Sequence, residues 1–207
     1  MKTSKNTEFD LFGQEHAITN AFKMMIASFD KGGKLLVCGN GGSAADCEHI
    51  VGELMKGFYL DRKLDNNQQN QFLNERCSTS YDLVEKLQNG LPAISLVSHS
   101  SLITAINNDI GGDMIFAQQI WSLGKAGDIL LAISTSGNSV NILKAAKVAI
   151  AKKIAVIGLT GIDGGKLAVL CDELISAPSN DVAEIQEMHL PIYHAICKKL
   201  EMHYFSV

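Results

Sequence analysis

Ser134-Thr135-Ser136-Gly137-Asn138-Ser139 places four hydroxyls and a glycine between two runs of different character. The preceding run, Asp128-Ile129-Leu130-Leu131-Ala132-Ile133, is apolar and reads as a buried strand. The following run, Val140 to Lys147, has helical spacing. The start of a helix carries unpaired N–H groups and the positive end of the helix dipole, so it favours anions. Hydroxyls both donate and accept. Ser134, Thr135, Ser136 and Ser139 can therefore form a phosphate cradle without an arginine. The plainer alternative is an ordinary helix cap with a polar loop.

A second strand-to-helix turn is Cys38-Gly39-Asn40-Gly41-Gly42-Ser43-Ala44. Gly39-x-Gly41-x-x-Ala44 matches a loose dinucleotide fingerprint. That fingerprint expects a second strand ending in an acid about 20 residues on, and residues 59–63 show no strand pattern. A turn that lets backbone amides approach a sugar or its phosphate fits better. The alternative is a turn that needs glycine for steric reasons alone. The next helix carries His49 and Glu53, four apart and so on one face. Imidazole and carboxylate at that spacing can chelate a divalent metal or act as an acid/base pair. Taken alone, such a pair is more often a solvated surface contact.

The closing helix carries Gln186, Glu187, His189 and His194 among Ile185, Met188, Leu190, Ile192 and Ile196. A histidine on so apolar a face is more often a core residue than a ligand. Gln186 and His194 are about 12 Å apart along an ideal helix, so His189 is the easier partner for Gln186. Pro191 lacks an N–H and should perturb the turn before it. His99 and Asn107-Asn108-Asp109 form further polar edges, and His16 and His203 read as surface residues.

The elements that must position these residues alternate. Helical spacing runs from Leu11 to Phe29 and ends at Gly32-Gly33. Strands are expected at 34–38, 91–97, 129–133, 154–159 and within 170–177. Helices are expected at 43–56 with Gly57 as cap, at 100–107, at 113–123 and at 182–204. Strands that are apolar throughout and alternate with helices predict a three-layer α/β/α sandwich around a five-stranded parallel sheet. Ligands bind such sheets at the carboxyl ends of strands, where strand order reverses. Tyr59 to Asn89 breaks the rhythm with Asn66-Asn67-Gln68-Gln69-Asn70-Gln71 at its centre. It reads as an inserted, mobile loop with a short helix at 80–88. No linker marks a second domain, so residues 1–207 read as one.

The 207 residues are 46% hydrophobic and 19% charged, enough apolar content for a well-buried core. A net charge of −4 and no basic tract argue against nucleic acid. No apolar run is long enough to cross a bilayer, and residues 1–15 lack the apolar stretch of a signal peptide. Cysteines 38, 47, 77, 171 and 197 are widely spaced, with no Cys-x-x-Cys. This usage predicts a reduced, cytoplasmic protein.

Taken together, these motifs resemble the sugar isomerase (SIS) domain family. They are Gly39-Asn40-Gly41-Gly42-Ser43, His49/Glu53, Asn108-Asp109, Ser134 to Ser139, and Ile185-Gln186-Glu187-Met188-His189 with His194. The similarity spans residues 11 to about 204 and is strongest to the phosphoheptose isomerase branch, which acts on sedoheptulose 7-phosphate. The resemblance implies a flavodoxin-like SIS fold and an aldose–ketose isomerase working through an enediol. It implies that Asn40, Gly41, Gly42 and Ser43 line the sugar site and that Ser134, Thr135, Ser136 and Ser139 hold phosphate. Asn108 and Asp109 would contact sugar hydroxyls. His49, Glu53, Gln186 and His194 would bind one zinc per subunit, Glu53 and His194 serving also as the acid/base pair and Glu53 and Gln186 also touching substrate. It further implies a homotetramer with sites at subunit contacts. Two features depart from the family pattern. Asp181-Val182-Ala183-Glu184 stands where relatives often read Asp-Thr-Ala-Arg, and the 59–89 segment is long. They leave open an isomerase of another phosphosugar, or a phosphosugar-binding adaptor without catalysis.

Overall fold

The computed structural model describes residues 11–72 and 81–206. Its elements in chain order are α1 (Glu15–Phe29), β1 (Leu35–Cys38), α2 (Gly42–Met55), α3 (Asn66–Asn70), α4 (Tyr81–Lys86), β2 (Ala93–Ser95), α5 (Ser100–Asp109), α6 (Ile115–Leu123), β3 (Ile129–Ser134), α7 (Val140–Ala151), β4 (Ala155–Thr160), β5 (Glu173–Ser176) and α8 (Val182–Phe205). The five strands form one sheet in the order β2-β1-β3-β4-β5, and every pairing is parallel.

The strands are apolar throughout because both faces of the sheet are covered. Every residue of β1 and β3 is buried. Leu35 and Val37 face one way, into a core with Ile18 and Met25 of α1, Ile50 and Leu54 of α2, and Ile192 and Leu200 of α8. Leu36 and Cys38 face the other way, against Phe116 and Ile120 of α6 and Ile142, Ala145 and Ala149 of α7. The result is the three-layer sandwich that the alternation predicts.

Strand order reverses between β1 and β3. The glycine turn after β1 and the serine loop after β3 therefore lie side by side, with Cys38 in register with Ala132. Asn40 and Asn141 join the two ends through reciprocal amide hydrogen bonds of 2.9 and 2.8 Å.

Three local expectations need correction. Gly57 does not cap α2; the capping residue is Lys56, in an extended conformation. A Cβ on Gly57 would lie 2.4 Å from the Leu60 carbonyl oxygen, so the glycine answers a close approach. Pro191 does not interrupt α8, which runs unbroken from Val182 to Phe205. Packing of its apolar face supplies what the missing N–H removes.

The 59–89 segment is not a free loop where it begins and ends. Arg62 and Glu201 form an ion pair of 2.8 Å with both side chains fully buried. Arg62 also donates to the carbonyls of Leu54 and Glu53, and its guanidinium stacks on Phe205. Glu201 accepts from the amides of Phe58 and Tyr59. Helix α3 carries a capping box between Asp65 and Gln68. Asn89 closes the base through the Lys63 carbonyl and the Gln68 side chain. The expected helix at 80–88 corresponds to α4; its first residue, and all of 73–80, lie outside the described residues.

Burial pushes the Glu201 carboxyl upward, but the Phe58 and Tyr59 amides and Arg62 together outweigh it and hold it below the ordinary carboxylate range. A depressed folded-state value adds stability above the unfolded value of about 4.3, and that stability is lost as pH falls through the folded one. Glu201→Gln leaves Arg62 buried without its counter-charge. It should cost about 3–5 kcal/mol in denaturant unfolding at pH 7, and the penalty should shrink as the pH drops into the acid range.

Candidate active site

The serine loop is rigid because its backbone is tied to the neighbouring strand ends. The Gly161 amide donates to the Thr135 carbonyl and the Leu167 amide to the Gly137 carbonyl, each at 2.9 Å. Asn138 braces the turn by donating to the Ser136 carbonyl and accepting from the Lys166 amide. Gly137 has φ +62°, and a Cβ there would sit 2.0 Å from the Gly164 carbonyl oxygen, so only glycine fits.

Ser139 occupies the cap position of α7, yet its hydroxyl caps nothing. It accepts instead from the Ser134 hydroxyl at 3.3 Å. The hydroxyls and the first amides of α7 are thus left together at the carboxyl end of β3, the arrangement an anion requires. Thr135, Ser136 and Asn138 also line a cavity of about 260 Å³ with Asp163 and Asn180.

One layer over, α2 and α8 pack side by side and bring together residues 145 positions apart. His194 Nε2 lies 3.4 Å from His49 Nε2, and Glu53 Oε1 lies 3.3 Å from the same His49 nitrogen. The second Glu53 oxygen, Oε2, is buried without a hydrogen-bond partner among the described residues. The His49 ring stands edge-on to His194 and Tyr193, and Phe58 walls the other side of His194. Burial, then the nearby His49, lower the His194 imidazole below its ordinary range, with Glu53 opposing them. Among the described residues, no group of three or more His, Cys, Asp and Glu side chains closes into a metal cage.

The other expected residues fall in different places. The Gln186 amide rests against Gly42, where a Cβ would meet its Nε2 at 2.6 Å, and makes no hydrogen bond to His49, Glu53 or His194. Gln186 reaches the glycine turn and His194 reaches His49 on α2, while His189, the easier partner for Gln186 on spacing, pairs with the Thr160 carbonyl instead. His189 is a core residue, fully buried, with Nε2 3.1 Å from the Thr160 carbonyl. Burial lowers its imidazole below the ordinary range. Asn40, Gly41 and Gly42 are exposed at the mouth of the turn, while Ser43 is buried beneath it. Asn108 and Asp109 sit exposed at the end of α5, bonded to each other at 2.7 Å and to neither loop.

Two residues of the cluster escape the sequence reading. Tyr193 points its hydroxyl at His49 Nδ1, 3.0 Å away, and at Asp46 Oδ1, 3.2 Å away. The signal that could have found Asp46 is its place about one helical turn before His49; a tyrosine among apolar neighbours gives no such signal. Burial first, then the Asp46 charge, push the Tyr193 phenol well above its ordinary range. Asp181, in the divergent stretch, caps α8 by accepting from the Ala183 and Glu184 amides.

Gly42 offers a test of the Gln186 position. Gly42→Ala should displace the flexible amide while changing unfolding stability by less than about 1 kcal/mol. Turnover should fall in Gly42→Ala and in Gln186→Ala alike, and combining the two should add little.

The SIS domain family model matches residues 11–86 and 80–161. Phosphoheptose isomerase from Rhodospirillum rubrum is 40% identical across 89% of this chain and 85% of its own length. The enzyme of that name from Helicobacter hepaticus is 41% identical across 92% and 84%. The structure of phosphoheptose isomerase from Neisseria gonorrhoeae superposes with a TM-score of 0.73 at 35% identity, covering 91% of this chain and 86% of that one. That from Francisella tularensis gives 0.72 at 36% identity, covering 88% and 83%. With two strand-end loops at the sheet's reversal point, a histidine–carboxylate cluster between α2 and α8, and this degree of likeness, the chain belongs to the SIS domain family and, within it, to the phosphoheptose isomerases.

Proposed function

We propose that this protein interconverts sedoheptulose 7-phosphate and D-glycero-D-manno-heptose 7-phosphate, with Glu53 and His194 as the acid/base pair. The observation that carries the reading is the meeting of His49, Glu53 and His194 across α2 and α8, on the same sheet as a serine loop suited to phosphate. An aldose–ketose isomerase moves one proton between adjacent carbons and one between adjacent oxygens. Glu53, with a side chain only 12% exposed, takes the proton from carbon 1 and returns it to carbon 2. His194, its imidazole lowered toward the neutral form, carries the hydroxyl proton or assists ring opening. Ser134, Thr135, Ser136 and Ser139 grip the phosphate far from the reacting carbons, and Asn40, Gly41, Gly42 and Ser43 receive the sugar. Remote binding of this kind orients the chain for proton transfer.

The donor set also suits a zinc ion. Tetrahedral ligands with bonds of about 2.0–2.1 Å stand about 3.3 Å from one another, close to the 3.3 and 3.4 Å separations seen here. The buried, unpartnered Glu53 Oε2 is a further donor. His49, Glu53 and His194 would hold the ion, with Gln186 as the fourth ligand that the family resemblance implies. When bound, zinc polarises the carbonyl and stabilises negative charge on the oxygens.

The same reading has the chain working as a cytoplasmic homotetramer. Support comes from the unpaired thiols of Cys38, Cys47, Cys171 and Cys197 and from Trp121, Ile110 and Leu102, which leave large apolar surfaces exposed. No described helix is long and apolar enough to cross a membrane. Asn108 and Asp109 would reach substrate across a subunit contact.

Three measurements test this. Glu53→Gln keeps side-chain volume but cannot take a proton, so turnover on sedoheptulose 7-phosphate should fall on the order of 10²-fold or more at unchanged stability. Zinc content, read in the same variant and in His49→Ala and His194→Ala, should drop in both histidine variants; full metal occupancy in both contradicts the ligand assignment. Ser136→Ala should weaken phosphosugar binding by about 1 kcal/mol or more. Free sugar that binds as tightly as its phosphate contradicts the cradle.

A further inference from the structure

The phenol of Tyr193 sits between a carboxylate and an imidazole. Its oxygen is 3.2 Å from Asp46 Oδ1 and 3.0 Å from His49 Nδ1. A phenol has one proton to give, so only one of these contacts can be its donation. Asp46 Oδ2 is already buried without a partner among the described residues. Were the phenol to donate to His49, Oδ1 would lose its donor too, and the carboxylate would stand bare in a partly buried site, a costly state. The proton therefore goes to Asp46. The phenol oxygen then accepts, and among the described residues the only group offering it a proton is Nδ1–H of His49.

We propose that Tyr193, held by Asp46, fixes His49 in its Nδ1–H tautomer and so presents the Nε2 lone pair to the space shared with Glu53 and His194. The chain of bonds opposes a real competitor. Glu53 Oε1, 3.3 Å from His49 Nε2, would accept from an Nε2–H and favours the other tautomer. With Nδ1 held as donor, Nε2 is free to bind a cation and Glu53 keeps both oxygens for its own work. Tyr193 and Asp46 are thus positioning residues that act through His49. Tyr193 is suited to this because its ring is fixed. It is 2% exposed within the core shared by α2 and α8 and lies edge-on to the His49 ring. The functional consequence rests on the proposed metal reading of the site; the tautomer does not.

The test compares wild type with Tyr193→Phe and Asp46→Ala, using nitrogen-15 NMR of the histidine rings in zinc-free protein at pH 8. His49 should show a protonated Nδ1 in wild type. In both variants it should shift toward Nε2–H, now bonded to Glu53. His189, whose Nε2 donates to the Thr160 carbonyl, should keep its tautomer throughout and shows that the fold is intact. Zinc affinity, measured by competition with a chelator, should weaken about 10–100-fold in Tyr193→Phe. An Nε2–H signal in wild type, or an unchanged His49 tautomer in both variants, would overturn the proposal. Should Tyr193→Phe not fold, Asp46→Ala decides alone. A wild type that binds no zinc would sink the metal reading, and the His49 tautomer would still decide this one.

Discussion

The packing of α8 along α2 is the constraint from which the site follows. Neither helix carries enough chemistry alone: α2 offers His49 and Glu53, and α8 offers His194. Their side-by-side contact, built on Ile50, Leu54, Ile192 and Leu200, brings His194 to 3.4 Å from His49, which Glu53 neighbours one turn along α2. The buried Arg62–Glu201 pair holds the same two helices at their far ends. Arg62 donates to the carbonyls of Glu53 and Leu54 while pairing with Glu201 of α8. An ion pair of this kind contributes little net stability against an apolar replacement. What it does fix is geometry, since its hydrogen bonds are satisfied only at one helix register.

The sheet supplies the other half. A parallel sheet whose order reverses between β1 and β3 leaves a crevice at the strands' carboxyl ends, and both loops open there. The serine loop brings hydroxyls and helix-start amides; the glycine turn brings open backbone. Neither adds a formal charge. The site can therefore bind a phosphate dianion without a lysine or arginine.

Much of this was legible in the sequence because the signals are local. Continuous apolar runs gave the strands to within one or two residues, except for β2, where only Ala93–Ser95 of the expected 91–97 pairs with β1. The serine loop and the His49/Glu53 pair could be singled out from spacing, though each had a plainer alternative that spacing did not exclude. What stayed hidden depends on contacts between distant segments. Arg62 looked like one charge in a polar insertion, yet it is buried because Glu201 lies 139 positions away. Tyr193 carries no signal in the sequence. Its hydroxyl matters only because α8 turns it toward Asp46 and His49. Pro191 looked like a break, but tertiary packing carries α8 through it. Asn108 and Asp109 show the opposite limit: their motif was clear, and a single chain leaves them apart from both loops.

The central claim is that this fold moves a proton between adjacent carbons of a phosphosugar. Proton NMR of sedoheptulose 7-phosphate in D₂O, incubated with the zinc-loaded protein, tests it most directly. The account predicts an aldose heptose 7-phosphate with partial deuterium at carbon 2, partial because the Glu53 side chain is largely shielded from solvent. Ketose returned without any aldose product would contradict it.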